Sequence, residues 1–424
     1  MKISRADYWR RRVFFATWVA YAGFYLTRKS FSVAKIGMAE DPSVLLTKAQ
    51  MSAIDAAFLV SYAAGQFLWG MLGDRKGARR LVLLGMLGSV LTAAAMGLSS
   101  AAVLFGLFFC LQGLFQSAGW APLTKNIRDW FPRKERGVVM GWWSTNYVVG
   151  GIVAAPLAGW CADLFTSWRY GFFGPAAGLA VVAALFLWLQ RDRPSDVGLP
   201  EVEPSPQDAA ARAAQGARRG SAWTDISAVF KNRVVLLLGT TYFFLKPTRY
   251  AILFWGPLYV HEILGTGMAQ SGIVSIAFDV GGPLGVLVGG YVSDRIFSSR
   301  RMPASAISLF VLAPLLLFFG RLTASPSPFL IAGLFFALGF LANLPESLIS
   351  GTAAVDFGGK TGASTASGFI NGCGSVGAIL GGALPGVISK AWGWEALFTT
   401  LGVSVLVAGL LILPKWNALP RDGT

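Results

Sequence analysis

The chain has 424 residues, of which 54% are hydrophobic and only 13% charged, yet 36 Lys and Arg against 21 Asp and Glu leave a net charge of +15. Soluble domains carry about 25% charged residues, so this composition excludes an ordinary soluble fold and points to the bilayer. The three cysteines (Cys110, Cys161, Cys373) show no metal spacing and no disulfide framework, and no nucleophile–base cluster or nucleotide loop is present, so no enzyme, metal or cofactor is expected.

Apolar blocks of membrane length recur from end to end. With blocks of about 17–25 residues read as spanning helices, about twelve emerge, with cores near 13–37, 50–72, 80–99, 101–127, 138–161, 168–190, 234–259, 270–292, 303–321, 328–351, 363–388 and 396–414. The expected fold is all-α and integral to the membrane. The first span contains Tyr21 and Tyr25-Leu-Thr-Arg28-Lys29. A cation deep in a span costs about 2.5–3.5 kcal/mol on insertion scales. Snorkelling to the interface relieves that cost near a helix end, but Arg28 lies far from the start of its span. It is therefore expected to face protein or a wet cavity. The second span carries Asp55, Tyr62 and Gln66, then runs into Gly70-Met-Leu-Gly-Asp74-Arg75-Lys76. The fourth holds Gly119-Trp120-Ala121-Pro122, and the fifth opens on Lys134-Glu135-Arg136-Gly137 and carries Asn146 and Tyr147.

After the sixth span the chain turns to Pro, charge and small residues. Residues 192–232 read as a cytoplasmic linker, with a short surface helix expected from Ala209 to Arg219. It divides an N-terminal bundle, 1–191, from a C-terminal one, 233–424. The seventh span contains Lys246-Pro-Thr-Arg249, the eighth Asp279, and the tenth Asn343 and Glu346. The lone His261 and the Gly-rich stretches at Gly150, Gly281 and Gly381 read as surface and close helix packing.

Two patterns tie these spans together. The first is charge: 27 of the 36 Lys and Arg fall in the termini and alternate loops of one side. Five fall on the other side (Lys35, Lys48, Arg169, Arg321, Lys390) and four inside the membrane (Arg28, Lys29, Lys246, Arg249). The positive-inside rule then puts both termini in the cytoplasm. The excess charge reads as topology and affinity for anionic lipid, not nucleic acid. The second pattern is a repeat. Gly290-Tyr-Val-Ser-Asp294-Arg295 echoes the loop after the second span, with Asp294 lying 220 residues beyond Asp74. The same offset carries Arg28 almost onto Arg249. Two six-helix bundles thus each place one arginine at matching depth, and guanidinium suits the bidentate geometry of phosphate or carboxylate.

The repeated Gly-x-x-x-Asp-Arg loop resembles that of the major facilitator superfamily. Tyr25-Leu-Thr-Arg28-Lys29, Gly119-Trp120-Ala121-Pro122, Lys134-Glu135-Arg136-Gly137, Gly198-Leu199-Pro200 and Arg249-Tyr250 resemble its organophosphate:phosphate antiporter family. The resemblance implies exchange of a sugar phosphate, glycerol phosphate or phosphoglycerate for inorganic phosphate by alternating access, with Arg28 and Arg249 on the phosphate. It also implies pairing of Lys29 with Asp279. The chain departs from the family where a helix 5 histidine becomes Tyr147, a helix 2 lysine becomes Gln66, and an acidic residue after Arg249 becomes Phe254. Lys246 enters one turn before Arg249, on the same face, and is expected at the non-phosphate end of the substrate. Glu346 is its candidate partner.

The candidate substrate set is therefore Arg28, Arg249, Lys246, Tyr25, Tyr21, Tyr62, Gln66, Trp120, Asn146, Tyr147, Asn343 and Glu346. For the tyrosines, aromatic packing is the alternative. The candidate ion-pair and gating set is Lys29, Asp279, Asp74, Arg75, Asp294 and Arg295. Two other functions fit the same residues: a sugar-phosphate receptor that does not transport, and a proton-coupled carboxylate facilitator using Asp55 or Glu346. A monomer in a bacterial inner membrane is expected.

Overall fold

The computed structural model describes residues 4–44, 46–202, 232–298 and 300–418. The expected surface helix at Ala209–Arg219 and the rest of 203–231 lie outside the described residues, as do the side chains of Asp74 and Arg75. Seven described helices are long and apolar enough to cross a membrane; one of them, Ala366–Lys415, is long enough for the last two predicted spans together. The first, second and seventh predicted spans are also helices, but polar and charged residues dilute their apolarity. The ninth is a shorter helix, Arg301–Leu317.

The chain folds as two compact units. The first takes Met1–Leu46, Ala57–Ala217 and Gly267–Gly272, and the second takes Thr47–Ala56, Arg218–Thr266 and Ile273–Thr424. The first unit opens with α1 (Arg5–Arg28), capped by Ser4, whose side chain accepts from the Asp7 amide. The predicted continuous first span is in fact broken at Lys29, and α2 (Ser30–Glu40) follows. The cause is a side chain in the backbone ladder: Gln112 Nε2 donates to the Thr27 carbonyl at 2.8 Å. Lys35, assigned to a loop from the sequence, is instead fully buried in α2, its ammonium 5.0 Å from the centre of the Phe31 ring.

The chain then forms α3 (Lys48–Lys76), α4 (Ala78–Leu98), α5 (Ala102–Gln116), α6 (Trp120–Trp130), α7 (Arg133–Trp143), α8 (Thr145–Leu164) and α9 (Tyr170–Leu189). The fifth predicted span bends between α7 and α8, where the Ser144 and Thr145 hydroxyls donate to the Met140 and Trp142 carbonyls at 2.8 and 2.7 Å. Helix α1 packs on α8 and α9, and α4 on α5 and α9. Val13, Phe24, Trp130, Trp143 and Phe186 belong to the buried core of this unit.

The second unit is built on α10 (Arg233–Leu264). Asn232 caps its start by accepting from the Val234 and Val235 amides, and Gly265 stops it at φ +65°. Next in the chain come α11 (Met268–Ser275), whose residues as far as Gly272 belong to the first unit, then α12 (Ala277–Tyr291), α13 (Arg301–Leu317), α14 (Phe319–Leu322), α15 (Pro328–Ser347) and α16 (Ala354–Ile412). Gly393, at φ +81°, lies inside α16, where the sequence predicts the turn between its last two spans. Helix α10 packs on α16, and α12 on α15. In the second pair, Cβ atoms at Gly281 and Gly285 would lie 2.2 and 2.1 Å from the Phe336 and Phe340 carbonyl oxygens, so only glycine permits this approach. Two π-helical turns interrupt the unit, Val292–Ile296 and Leu348–Ala353. The first contains the Asp294-Arg295 motif and the second begins two residues after Glu346. Such turns often mark functional positions.

Candidate substrate site

In the first unit, the last turn of α1 delivers Arg28, which is only 7% exposed. Its Nε donates to Gln116 Oε1 at 2.8 Å. The Gln116 amide nitrogen in turn donates to Thr27 Oγ1 at 3.0 Å. Gln112 and Gln116, one turn apart on α5, therefore fix both the backbone and the guanidinium at the end of α1. The rings of Tyr25 and Tyr62 lie 4.5 and 4.8 Å from the guanidinium carbon, within cation–π range. Behind them Tyr21 packs edge-on against Trp120, with centroids 5.2 Å apart, and Trp120 packs against Trp143 at 5.3 Å. Trp143 is held by its own bond to Thr17 Oγ1 at 3.0 Å. Asn146 is fully buried, and among the described residues its amide atoms have no hydrogen-bond partner. Tyr147 is half-buried against the unit's core, whereas Gln66 is exposed.

In the second unit, Lys246 and Arg249 lie on one face of α10, flanking Pro247 and Thr248. Both reach the same carboxylate oxygen. Lys246 Nζ is 2.6 Å and Arg249 Nη1 2.7 Å from Glu346 Oε1. Tyr242 OH donates to that oxygen at 3.3 Å and accepts from Lys246 at 2.7 Å. Arg249 Nη1 also donates to Asn343 Oδ1 at 3.2 Å, and Asn343 is anchored by donating to the Gly339 carbonyl at 2.8 Å. Helix α15 thus carries both partners, Asn343 and Glu346, one turn apart. The pairing of Lys246 with Glu346 considered from the sequence is formed, and Arg249 shares it.

Of the gating candidates, Arg295 is exposed, and the carboxylate of Asp294 is paired with Arg301, which also donates to Ser293 Oγ at 3.0 Å. Lys29 is buried, and Asp279 lies in the first turn of α12. At the motif loop of the first unit, Asp192 Oδ1 accepts from the Arg79 amide at 2.7 Å. This places a carboxylate at the N-terminus of α4.

Sequence reasoning missed four residues: Thr27, Gln112, Gln116 and Tyr242. Tyr242 had a signal, since it stands one turn before Lys246. The glutamines had a weaker one, being amides inside an apolar block.

The model of the Major Facilitator Superfamily matches residues 13–381 of the chain. A probable hexose phosphate transport protein of Chlamydia trachomatis is 31% identical, over 97% of this chain and 92% of its own. The chain belongs to the organophosphate:phosphate antiporter family of the Major Facilitator Superfamily. The membrane sensor protein UhpC of Escherichia coli is 32% identical over 99% of this chain and 95% of its own. Among solved structures, a bacterial homolog of the human lysosomal transporter Spinster shares the fold, with a TM-score of 0.78 at 15% identity over 98% of each chain. Membership places the chain with membrane transporters and not with enzymes, and the fold is that of the superfamily, all helical and multi-pass.

Proposed function

We propose that this protein is a secondary transporter that exchanges an organic phosphate for inorganic phosphate by alternating access, with Arg28 and Arg249 binding the phosphoryl group. The observation that carries the proposal is the repeated arginine, held in each unit by a side-chain acceptor: Gln116 Oε1 for Arg28, and Glu346 Oε1, shared with Lys246, for Arg249. Arginine keeps its charge and offers a planar fork of donors, so two of them suit a dianionic phosphate ester. The hexose phosphate relative supports a sugar-phosphate cargo. Exchange follows if the unloaded carrier, with two cations against the single Glu346 carboxylate, reorients slowly and a bound phosphate relieves the residual positive charge. In this reading the protein acts as a monomer in a bacterial inner membrane, both termini face the cytoplasm, and Lys29 pairs with Asp279.

The test is exchange of radiolabelled inorganic phosphate in proteoliposomes, competed with hexose phosphates, glycerol 3-phosphate and phosphoglycerate. Phosphate-for-ester exchange without a proton gradient supports the proposal. Similarity to a membrane sensor gives the second reading: binding of the same esters with no flux would make the protein a receptor. Uptake that needs a pH gradient and no internal phosphate would favour the proton-coupled carrier.

A further inference from the structure

Glu346 is 9% exposed, and every donor that reaches it converges on one oxygen. Tyr242, Lys246 and Arg249 all donate to Oε1, at 3.3, 2.6 and 2.7 Å. Among the described residues no hydrogen bond reaches Oε2, which nevertheless retains accessible surface. An ionised carboxylate only accepts hydrogen bonds and has about four lone-pair sites. One half of this carboxylate is saturated and the other half is idle. The other oxygen of the same carboxylate is 2.7 Å from Arg249 Nη1, so Oε2 is an accessible acceptor beside the Arg249 guanidinium.

We propose that Glu346 determines substrate specificity by accepting a hydrogen bond at Oε2 from a hydroxyl of the phosphate ester whose phosphoryl group sits on Arg249. The proposal rests on the phosphate reading above and deepens it. The chemistry of Oε2 selects the ligand. Two cations share one anion in this cluster, so a further cation at Oε2 is disfavoured by charge. A carboxylate on the ligand is repelled by Glu346 itself and finds Lys246 already engaged. A neutral hydroxyl is the donor that remains. The fitting substrate is therefore a hydroxyl-bearing phosphate monoester, and an ester bearing a second acid group in that place is rejected. On Arg249, Glu346 also occupies a position that a substrate oxyanion must share, so it competes with inorganic phosphate, which carries no carbon-borne hydroxyl to place at Oε2 while its oxyanions sit on Arg249.

The test compares four probes by competition binding to the purified full-length protein: inorganic phosphate, glycerol 3-phosphate, propyl phosphate, which lacks the hydroxyls, and 3-phosphoglycerate. In the wild-type protein, glycerol 3-phosphate should bind about tenfold or more tightly than propyl phosphate, as expected for one hydrogen bond to a charged acceptor, and 3-phosphoglycerate should bind no better than propyl phosphate. Glu346→Gln should reduce the hydroxyl preference to about twofold or less and tighten inorganic phosphate severalfold. Glu346→Asp, a smaller change should the first variant fold poorly, should reduce the preference in part. Equal binding of glycerol 3-phosphate and propyl phosphate by the wild type overturns the proposal, as does a full preference surviving in either variant. If none of the four probes binds the wild type, the phosphate reading fails and takes the proposal with it. Phosphate binding without hydroxyl preference leaves that reading standing and sinks the role of Glu346 alone.

Discussion

Replacing Gln116 by glutamate puts a negative charge where a neutral acceptor now orients Arg28. The two side chains are 0% and 7% exposed, and Nε and Oε1 lie 2.8 Å apart. At about 4 Å between charge centres and an effective dielectric of 20, the new pair gains about 4 kcal/mol. Desolvation of the buried carboxylate takes back part of that gain. What remains is on the scale of a hydrogen bond to a charged group, about 1.5–3 kcal/mol, and phosphate must overcome it to engage Arg28. Gln116→Glu should therefore weaken inorganic phosphate roughly 10- to 100-fold. Gln116→Leu keeps the volume and leaves the arginine charged; it removes the bond that orients Arg28 and the one to Thr27 Oγ1, and the lost orientation weakens phosphate by about 1 kcal/mol or roughly fivefold. Saturation of phosphate exchange in proteoliposomes, with reconstituted protein quantified, measures both. Wild-type affinity in Gln116→Glu would refute the placement of Arg28 on the phosphate. A leucine variant worse than the glutamate variant would show that Gln116 matters for packing and not for charge.

Arg28→Lys and Arg249→Lys should each cut phosphate exchange at least tenfold while leaving membrane insertion intact, because lysine keeps the charge but loses the donor fork; near-normal flux in both, with matched protein levels, removes the two-arginine site. Lys246→Met leaves Arg249 as the one cation on Glu346 among the described residues and should weaken inorganic phosphate several-fold, and adding Glu346→Gln should restore it, a cycle read by competition binding. Outside the membrane, hydrogen bonds from Ser43 and the Trp168 indole hold the Asp41 carboxyl below its usual range. A depressed folded-state value stabilises above the unfolded pKa of about 3.9 and is lost as pH falls through the folded value. Wild type should therefore lose its melting-temperature advantage over Asp41→Asn in acid below about pH 4, and a constant difference from pH 3 to pH 7 would contradict this.

The spans and the two arginines were legible because the bilayer enforces them. An apolar block of spanning length and a cation inside it are visible without any neighbour in view, and the repeat converts one arginine into a pair. The scaffolds around them were not. Gln116 and Thr27 matter only because α5 lies against the end of α1 in one register, and a single sequence does not print interhelical register. The break at Lys29 has the same origin, since the group that takes the Thr27 carbonyl comes from 85 residues away. Lys35 was misplaced because charge alone suggested a loop, while its stem and ammonium are buried beside Phe31. Asp294 stood out only as part of the repeated motif, and its pairing with Arg301 at the start of the next helix could not be read from a single sequence.

The shared oxygen of Glu346 also bears on how the protein is made. Glu346 lies 100 residues after Lys246 and 97 after Arg249. At about 5–20 residues per second of synthesis, Arg233–Leu264 leaves the ribosome roughly 5–20 s before its counter-charge exists. During that interval two cations weigh against insertion at about 2.5–3.5 kcal/mol each, while apolar residues favour it by only about 0.3–0.6 kcal/mol apiece. The helix is thus held near the balance point at the insertion machinery until Pro328–Ser347 emerges and neutralises it. A substitution at residue 346 then lowers the yield of membrane-integrated protein before any substrate is met, so the abundance of such a variant has to be measured separately from its transport rate.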